Sequence, residues 1–328
     1  YAVCGEFSYA LLPSTERYSD HVPAFYKFIL GVTGTLREGR LPREARELLE
    51  DEIRIKHMTY CPSMYGPCVR DWDPASKDNV KVSESKNEHF LMITDEISRR
   101  LKPTSQSYDG KRSVLVFFES LDELQAYFDS SFFRRFQDGA NRLTEAACNQ
   151  PDERASLISK ATRQGQVTLA TRSFGRGIDF VVDDEHMLTV GGLHVLLTFF
   201  PRDVQEEVQI MGRGARQGQK GSFSLMLRSD QLEDLAGGKA SADDIKAWLS
   251  DSTLYEKMSE IRSAQAAADM KERLEKAEDA KKQHEEAAAA LNAFSSSGGR
   301  DSSQLSKLLR KYNHVGGSTT SRTLMLID

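Results

Sequence analysis

The sequence has no long hydrophobic run and no marked excess of charge of one sign. No apolar stretch reaches the ~18 residues that a membrane-spanning helix requires, and the densest one, 193–200, has the length of a buried strand. The formal net charge is −5, from 44 Lys and Arg against 49 Asp and Glu. This balance gives no basic bias towards nucleic acid or an anionic membrane. We therefore expect no transmembrane segment, and nucleic acid is not a favoured partner.

Cysteine is scarce, and the spacing of the few that occur excludes the usual zinc sites. The sequence has four cysteines, which are Cys4, Cys61, Cys68 and Cys148. No pair has the separation of a zinc-binding motif. We expect no metal site, and we expect free thiols in a reducing, intracellular compartment that the sequence does not identify further.

An initiating methionine is also missing. The chain begins at Tyr1 and stops at Asp328, directly after the apolar run 324–327. We expect a fragment of a longer polypeptide, and targeting signals therefore cannot be judged.

The composition and hydrophobic pattern favour an α/β protein. Apolar residues make up 39% of the sequence and charged residues 28%, which is typical of a globular protein with a core. Short apolar runs alternate with helical patterns, and this alternation predicts a parallel sheet with helices on both faces. The predicted strands are 113–118, 140–144, 167–170, 193–200 and 222–227. The predicted helices are 85–101, 122–136, 152–163 and 203–211.

The regions on either side of this alternation have different patterns. We predict helices over 22–30 and 43–52, a short strand over 54–58 and a loop over 60–80. Beyond 235 we predict a helix over 241–249 and a long Ala-rich helix over 253–294. A flexible linker, 295–321, follows with a short helix over 304–312.

A glycine- and arginine-rich turn follows the predicted strand 167–170. It reads Gly175-Arg176-Gly177-Ile178-Asp179. Glycines permit backbone conformations and close ligand approaches that other residues forbid, and ligands of open α/β sheets bind at the carboxyl ends of strands. A tight turn without a ligand is the alternative for this motif alone.

A second such motif follows the predicted helix 203–211. It reads Gly212-Arg213-Gly214-Ala215-Arg216-Gln217-Gly218. Arg213 and Arg216 are three residues apart, so on a helical turn both would project to one side. Two guanidinium groups in a glycine-rich setting suit a phosphate, and a solvated basic turn is the alternative.

Together, these motifs resemble motifs V and VI of the second RecA-like motor domain of the SecA preprotein translocases. The resemblance covers about Phe25–Leu235. It also includes the run Gly191-Gly192-Leu193-His194, the hinge-like segment Gly31–Thr35 and a fourth motif around Val114–Ser120. It implies a RecA-like α/β domain over 36–235.

The resemblance also implies a role in ATP hydrolysis. In that family ATP lies between two RecA-like domains, and the first, here absent, supplies the P-loop and the acidic motif that holds Mg²⁺. No Gly-x-x-x-x-Gly-Lys-Ser/Thr motif occurs in this sequence. The resemblance implies phosphate contacts from Arg213 and Arg216 as catalytic residues. It implies nucleotide contacts from Gly175, Arg176, Gly177, Asp179, Gln209 and Gly212.

Several positions depart from the SecA pattern. Arg172, Ser173 and Phe174 replace Asn, Met and Ala, while Ile178 replaces Thr and Met211 replaces Arg. The charged run Thr-Glu-Arg-His-Glu-Ser-Arg-Arg has become Thr198-Phe199-Phe200-Pro201-Arg202-Asp203-Val204-Gln205. These changes put the export role in doubt more than the fold.

The last residues carry a second resemblance. Arg322–Asp328 is similar to the first strand of a von Willebrand factor A domain, and a simple apolar strand is the alternative. The resulting domain order is a lead-in and hinge, a motor domain, a helical extension, a linker and this strand. Their predicted ranges are 1–35, 36–235, 240–294, 295–321 and 322–328.

Two functions follow from these motifs. The first is an ATP-driven motor half that works with an upstream P-loop domain of the same polypeptide on a polypeptide substrate. Protein partners and peripheral membrane contact are both compatible with it. The second is a non-catalytic structural or interaction module on a degenerate SecA-like fold in a large multidomain protein.

Overall fold

The computed structural model describes residues 57, 59, 69–102, 111–216, 218–296, 303 and 307. The helices predicted over 22–30 and 43–52 lie outside these residues, and only residue 57 of the strand predicted over 54–58 is described. The hinge-like segment Gly31–Thr35 and the strand at 322–328 also lie outside them, and only two isolated positions beyond 296 are described.

Seven parallel strands form one sheet. They are β1 (Val69–Asp71), β2 (Val80–Ser83), β3 (Val114–Phe118), β4 (Asn141–Leu143), β5 (Val167–Thr171), β6 (Leu193–Leu197) and β7 (Lys220–Arg228). The order across the sheet is β1-β7-β6-β3-β5-β4. Strand β2 also pairs with β7, so β1 and β2 follow one another along the same side of β7. This arrangement confirms the predicted RecA-like parallel sheet.

Nine α-helices lie within the described residues. They are α1 (Lys86–Leu101), α2 (Leu121–Phe128), α3 (Arg134–Gln137), α4 (Pro151–Ala161), α5 (Glu185–Thr189), α6 (Val204–Met211), α7 (Ser229–Ala236), α8 (Ala242–Ser250) and α9 (Leu254–Ser296). Polar residues start several of them, because a side-chain oxygen there accepts from a free backbone N–H of the first turn. Ser85 caps α1, Asp203 caps α6, and Ser241 forms a capping box with Asp244 on α8.

The core has two layers, one on each face of the sheet. Alternate residues of the buried strands point to opposite faces, so Leu115 and Phe117 join one layer while Val116 and Phe118 join the other. Helices α1 and α2 cover the second layer, and helices α4 to α8 with the start of α9 cover the first. The prediction of helices on both faces is confirmed.

Two predicted elements are wrong in detail. The helix predicted over 122–136 is two helices, α2 and α3, separated by a turn that buries Phe133 in the core. The Ser130 hydroxyl donates to Tyr127 O at 2.7 Å in this turn, a local bond that competes with continued helix. The loop predicted over 60–80 contains β1, whose three residues are too few to give a periodic signal.

The chain divides into two compact units. One comprises 34–37 and 59–266 and contains the whole sheet, and the other comprises 1–33, 38–58 and 267–328. The long helix predicted over 253–294 is confirmed as α9, of 43 residues. No helix in the described part of the chain is long and apolar enough to cross a membrane. The domain ranges that the sequence suggests remain predictions.

Candidate functional site

The first glycine-arginine motif lies where β5 ends. A short 3₁₀ turn, Arg172–Gly175, follows the strand and leads into Arg176 and Gly177. Gly177 has φ +66°, and a Cβ built there would meet nothing within 4 Å. Its backbone is therefore left-handed and open to approach. Gly175 instead packs under α6, because a Cβ there would lie 2.5 Å from Cγ1 of Ile210.

The second motif begins as α6 ends. The helix stops at Met211, and Gly212 donates its N–H to Val208 O at 2.9 Å in the closing turn. Ala215 has φ +53°, which breaks the helical path before Arg216. The expectation that Arg213 and Arg216 stand on one helical turn is therefore wrong. A tight turn brings them to the same side instead.

Both arginines reach back to the first motif. Nη1 of Arg213 donates to the carbonyl of Ile178, and its Nε donates to Gln209 O at 3.0 Å. Nη1 of Arg216 forms an ion pair with the carboxylate of Asp179. Burial lowers the pKa of Arg213, because the buried guanidinium group loses hydration. Its two contacts with backbone carbonyls offset part of that loss. The two motifs thus form one continuous site, within which Gln209 contributes its backbone carbonyl.

Two further arginines tie the first motif to α6. Arg176 lies 3.4 Å from Asp203, and Arg172 holds Glu206 with a bidentate contact of 2.8 and 2.5 Å. Arg172 also lies 3.6 Å from Glu119, which follows β3. Sequence reasoning noted Arg172 only as a departure from the SecA pattern. The signal that it missed was Glu206 on α6, whose carboxylate binds Arg172.

The site has accessible charge of both signs. The side chains of Arg176, Asp179 and Arg216 are exposed by 44%, 54% and 35%. Solvent screens such exposed pairs, so their ion pairs can be exchanged for another anion at small cost. Guanidinium groups bind phosphate oxygens through paired donors, and the open backbone at Gly177 permits close approach. The arrangement is therefore suited to an anionic group. No cluster of metal-binding side chains occurs among the residues described.

The Gly191-Gly192-Leu193-His194 run, a specific part of the sequence signature, has a packing role. Its His194 is fully buried, with Nδ1 2.7 Å from Ser222 Oγ and Nε2 3.0 Å from Ser224 Oγ. Gly192 is required because Lys220 O would lie 2.0 Å from a Cβ. This run packs β6 against β7, and Leu193 O lies beside Gly214 of the second motif, where a Cβ would approach it to 3.3 Å.

Comparisons with known proteins find similarity to SecA translocase subunits over 49% to 64% of this chain. A "Protein translocase subunit SecA 2" from Bacillus thuringiensis (strain Al Hakam) is 37% identical over 216 residues, which are 64% of this chain and 24% of the relative. A "Protein translocase subunit SecA" from Syntrophus aciditrophicus (strain SB) is 31% identical over 163 residues, 49% of this chain and 18% of the relative. The chain carries a SecA-type second RecA-like domain.

Other comparisons add less. No protein-family profile matches the chain. A solved structure of "Mss116p DEAD-box helicase domain 2 bound to an RNA duplex" is 16% identical, with 56% of this chain and 78% of that chain covered and a TM-score of 0.34. The SecA-type chain spans about a quarter or less of the length of the curated relatives that it matches.

Proposed function

We propose that this chain supplies the second half of an interdomain ATP site in a SecA-like motor that moves a polypeptide. The observation that carries the proposal is the convergence of Arg213 and Arg216 on the segment Gly175–Asp179. The identity with translocase subunits supports it. ATP is the substrate, and Mg²⁺ belongs with the upstream P-loop domain of the same polypeptide.

Each residue has a proposed role that follows from its place. Arg213 and Arg216 stabilise the negative charge that develops on the transferred phosphoryl group, as arginine fingers do. Gly177 lets the backbone approach the nucleotide, and Arg176 adds positive charge nearby. Asp179 holds Arg216 until the nucleotide is present.

Three residues have supporting roles in this proposal. Gly175 lets the segment pack against Ile210 on α6. Gln209 orients Arg213 through its carbonyl, and Gly212 closes the helix end. These contacts keep the arginines beside the segment without placing further charge there.

The test is the ATPase rate of the natural full-length polypeptide with Arg213→Ala and Arg216→Ala together. We expect a loss on the order of 10³ in kcat. Arg202→Ala is a matched control, since Arg202 is an exposed arginine next to α6. Circular dichroism checks that both proteins are folded. An unchanged rate in the double variant would exclude the catalytic role.

The alternative, a structural module without ATPase activity, is not favoured. The altered motifs favour it in the sequence, together with the long helix, the flexible spacers and the possible von Willebrand strand. At Ile178, however, the backbone carbonyl contacts Arg213, and this contact does not require the usual side chain. A full-length protein that binds no ATP and has no ATPase activity would favour this alternative.

A further inference from the structure

Two neighbouring phenylalanines occupy the position where the SecA pattern has Glu and Arg. Phe199 and Phe200 follow β6 and are both buried. Each ring is covered by a guanidinium group from another element. The Arg172 group lies 5.5 Å from the centroid of Phe199, and the Arg262 group lies 4.5 Å from that of Phe200. Such contacts are favourable and hold the two arginines over the end of β6.

The same two arginines bind two neighbouring glutamates on α6. Arg172 forms its bidentate contact with Glu206, and Nη1 of Arg262 donates to Glu207 at 2.5 Å. The Tyr255 hydroxyl also donates to Glu207, at 2.7 Å. The carboxylate side chains are exposed by only 8% and 1%. A buried carboxylate without a partner is costly, so each glutamate depends on its arginine.

These four charged residues, Arg172, Glu206, Arg262 and Glu207, form what we term the α6 clamp. Consecutive helical residues project about 100° apart, so the two ion pairs hold α6 from two directions. One comes from the end of β5 and the other from α9. The helix can therefore neither rotate about its axis nor slide along it without breaking a buried pair.

The clamp affects the candidate site because α6 leads directly into the second glycine-arginine motif. Arg213 lies just beyond the helix end, where its N–H donates to Ile210 O at 2.9 Å and its Nε donates to Gln209 O at 3.0 Å. Ile210 itself packs over Gly175. Any rotation of α6 would carry Arg213 and then Arg216 away from the segment Gly175–Asp179.

We propose that Arg172 and Arg262 are positioning residues that fix α6 and thereby aim Arg213 and Arg216. The consequence for the ATPase reaction rests on the proposed function. In this interpretation the departures at Arg172, Phe199 and Phe200 are one coordinated replacement. A charged run is exchanged for two aromatic rings, each covered by an arginine that also binds α6.

The experiment measures amide hydrogen exchange and ATPase kinetics on the full-length polypeptide. The variants are Arg172→Ala, Glu206→Ala and both together, with Arg202→Ala as the matched control. Arg172 is half exposed, so its removal should leave the domain folded. We expect amide exchange in residues 209–216 to accelerate severalfold in both single variants and to change little further in the double variant.

The kinetic expectation follows from the same geometry. kcat should fall about tenfold with little change in KM. The reason is that misdirected arginines no longer stabilise the transition state, whereas substrate binding does not depend on them. Arg172→Lys should give an intermediate value, because it keeps the charge but loses the bidentate contact.

The outcomes separate the clamp from the proposed function. Unchanged exchange in residues 209–216 overturns the clamp, whatever the ATPase rate. Faster exchange spread equally over β5, β7 and α1 also overturns it, because that result marks a general loss of stability. Faster exchange confined to residues 209–216 supports the clamp. It does so even if the double variant Arg213→Ala with Arg216→Ala has an unchanged ATPase rate, because that unchanged rate overturns only the proposed function.

Discussion

Gly177 and Gly192 have nearly the same φ angle but different surroundings. Their φ angles are +66° and +68°, so alanine is strained at both by about 1–2 kcal/mol. A Cβ at Gly177 meets nothing, whereas one at Gly192 would lie 2.0 Å from Lys220 O. We expect Gly177→Ala to lower the free energy of unfolding by about 1 kcal/mol and Gly192→Ala by more than about 3 kcal/mol. Urea denaturation of the 328-residue chain measures both.

Equal losses in the two variants would contradict the steric argument, because only backbone strain would then matter. If the proposed function holds, Gly177→Ala should also weaken nucleotide binding in the full-length polypeptide more than its stability loss explains. Gly192 lies outside the candidate site and should not do so.

Two buried histidines make stability depend on pH. Burial lowers the pKa of His89 to about 4, and burial with the charges of Arg100 and Arg112 lowers that of His194 well below its usual value. The unfolded chain binds protons from about pH 6.5 downward while the folded chain does not. The free energy of unfolding should therefore fall between pH 6.5 and 4, by up to about 1.4 kcal/mol per pH unit for each histidine.

His89→Gln isolates one of these contributions. Glutamine keeps a donor for Met226 O, which His89 contacts at 2.7 Å, but it does not titrate. We expect denaturation at several pH values to show that the free energy of unfolding falls less steeply with decreasing pH in the variant. The difference in slope should be about 1 kcal/mol per pH unit. Parallel curves would mean that the pKa of His89 is the same in the folded and the unfolded chain.

At the residue scale, the sequence identified the two arginines and their shared side but not the turn that places them there. Their spacing suggested a shared side through a helical turn, whereas the positive φ of Ala215 and the close contact between Gly221 and Ala215 decide the path of the chain. Such a turn depends on packing between distant segments. The role of His194 was hidden for the same reason, because its serine partners lie on another strand.

At the scale of helices and strands, predictability followed length and burial. The continuous apolar runs of β3, β5 and β6 are buried along their whole lengths, and the sequence located all three. The three-residue β1 has two exposed positions, and β2 is only half buried. Neither has a continuous apolar run, because both lie on the side of β7 away from the sheet centre. Their strand conformation depends on pairing with β7.

The contact of α9 with α6 gives a prediction at this scale. Arg262 and Glu207 form a buried ion pair, whereas Lys257 and Glu260 form an exposed one at 3.1 Å. Removing one partner of a buried pair leaves an uncompensated charge. We expect Arg262→Ala to lower the free energy of unfolding by about 3–5 kcal/mol. Lys257→Ala should lower it by less than about 1 kcal/mol.

Equilibrium denaturation of the two variants checks this difference. The double variant Arg262→Met with Glu207→Leu should recover much of the loss, because it removes both charges and retains apolar volume. A loss as large as that of Arg262→Ala alone would show that shape, rather than charge, holds the two helices together.

At the scale of the whole molecule, the chain on its own should bind ATP poorly. The proposed P-loop contacts belong to an upstream domain, and Asp179 competes for Arg216. We expect a Kd above about 1 mM by calorimetry, equivalent to less than about 4 kcal/mol of binding free energy. The natural full-length polypeptide serves as the positive control. Micromolar binding by this chain alone would contradict the division of the site between two domains.

The fold as a whole was more predictable than the site. Alternating strands and helices sufficed for a parallel sheet, since that pattern has few packing solutions. The partners of Arg172 and Arg262 depend on side chains from β5, α6 and α9 meeting in space. Their sequence separation leaves no periodic signal, so the α6 clamp appears only in three dimensions.

The pairing of β1 and β2 with β7 sets an order of events during synthesis. Ser83 donates to Leu227 O, 144 positions further along the chain, and a ribosome adds that length in roughly 7–30 s at ~5–20 residues per second. Strands β3 and β5 emerge before β7, so they can pair with each other while β2 still lacks its neighbour β7. The sheet is therefore completed outward from its middle, and the first described strands to be made are among the last to be sheltered. During that time their unpaired edges are exposed to pairing with other chains.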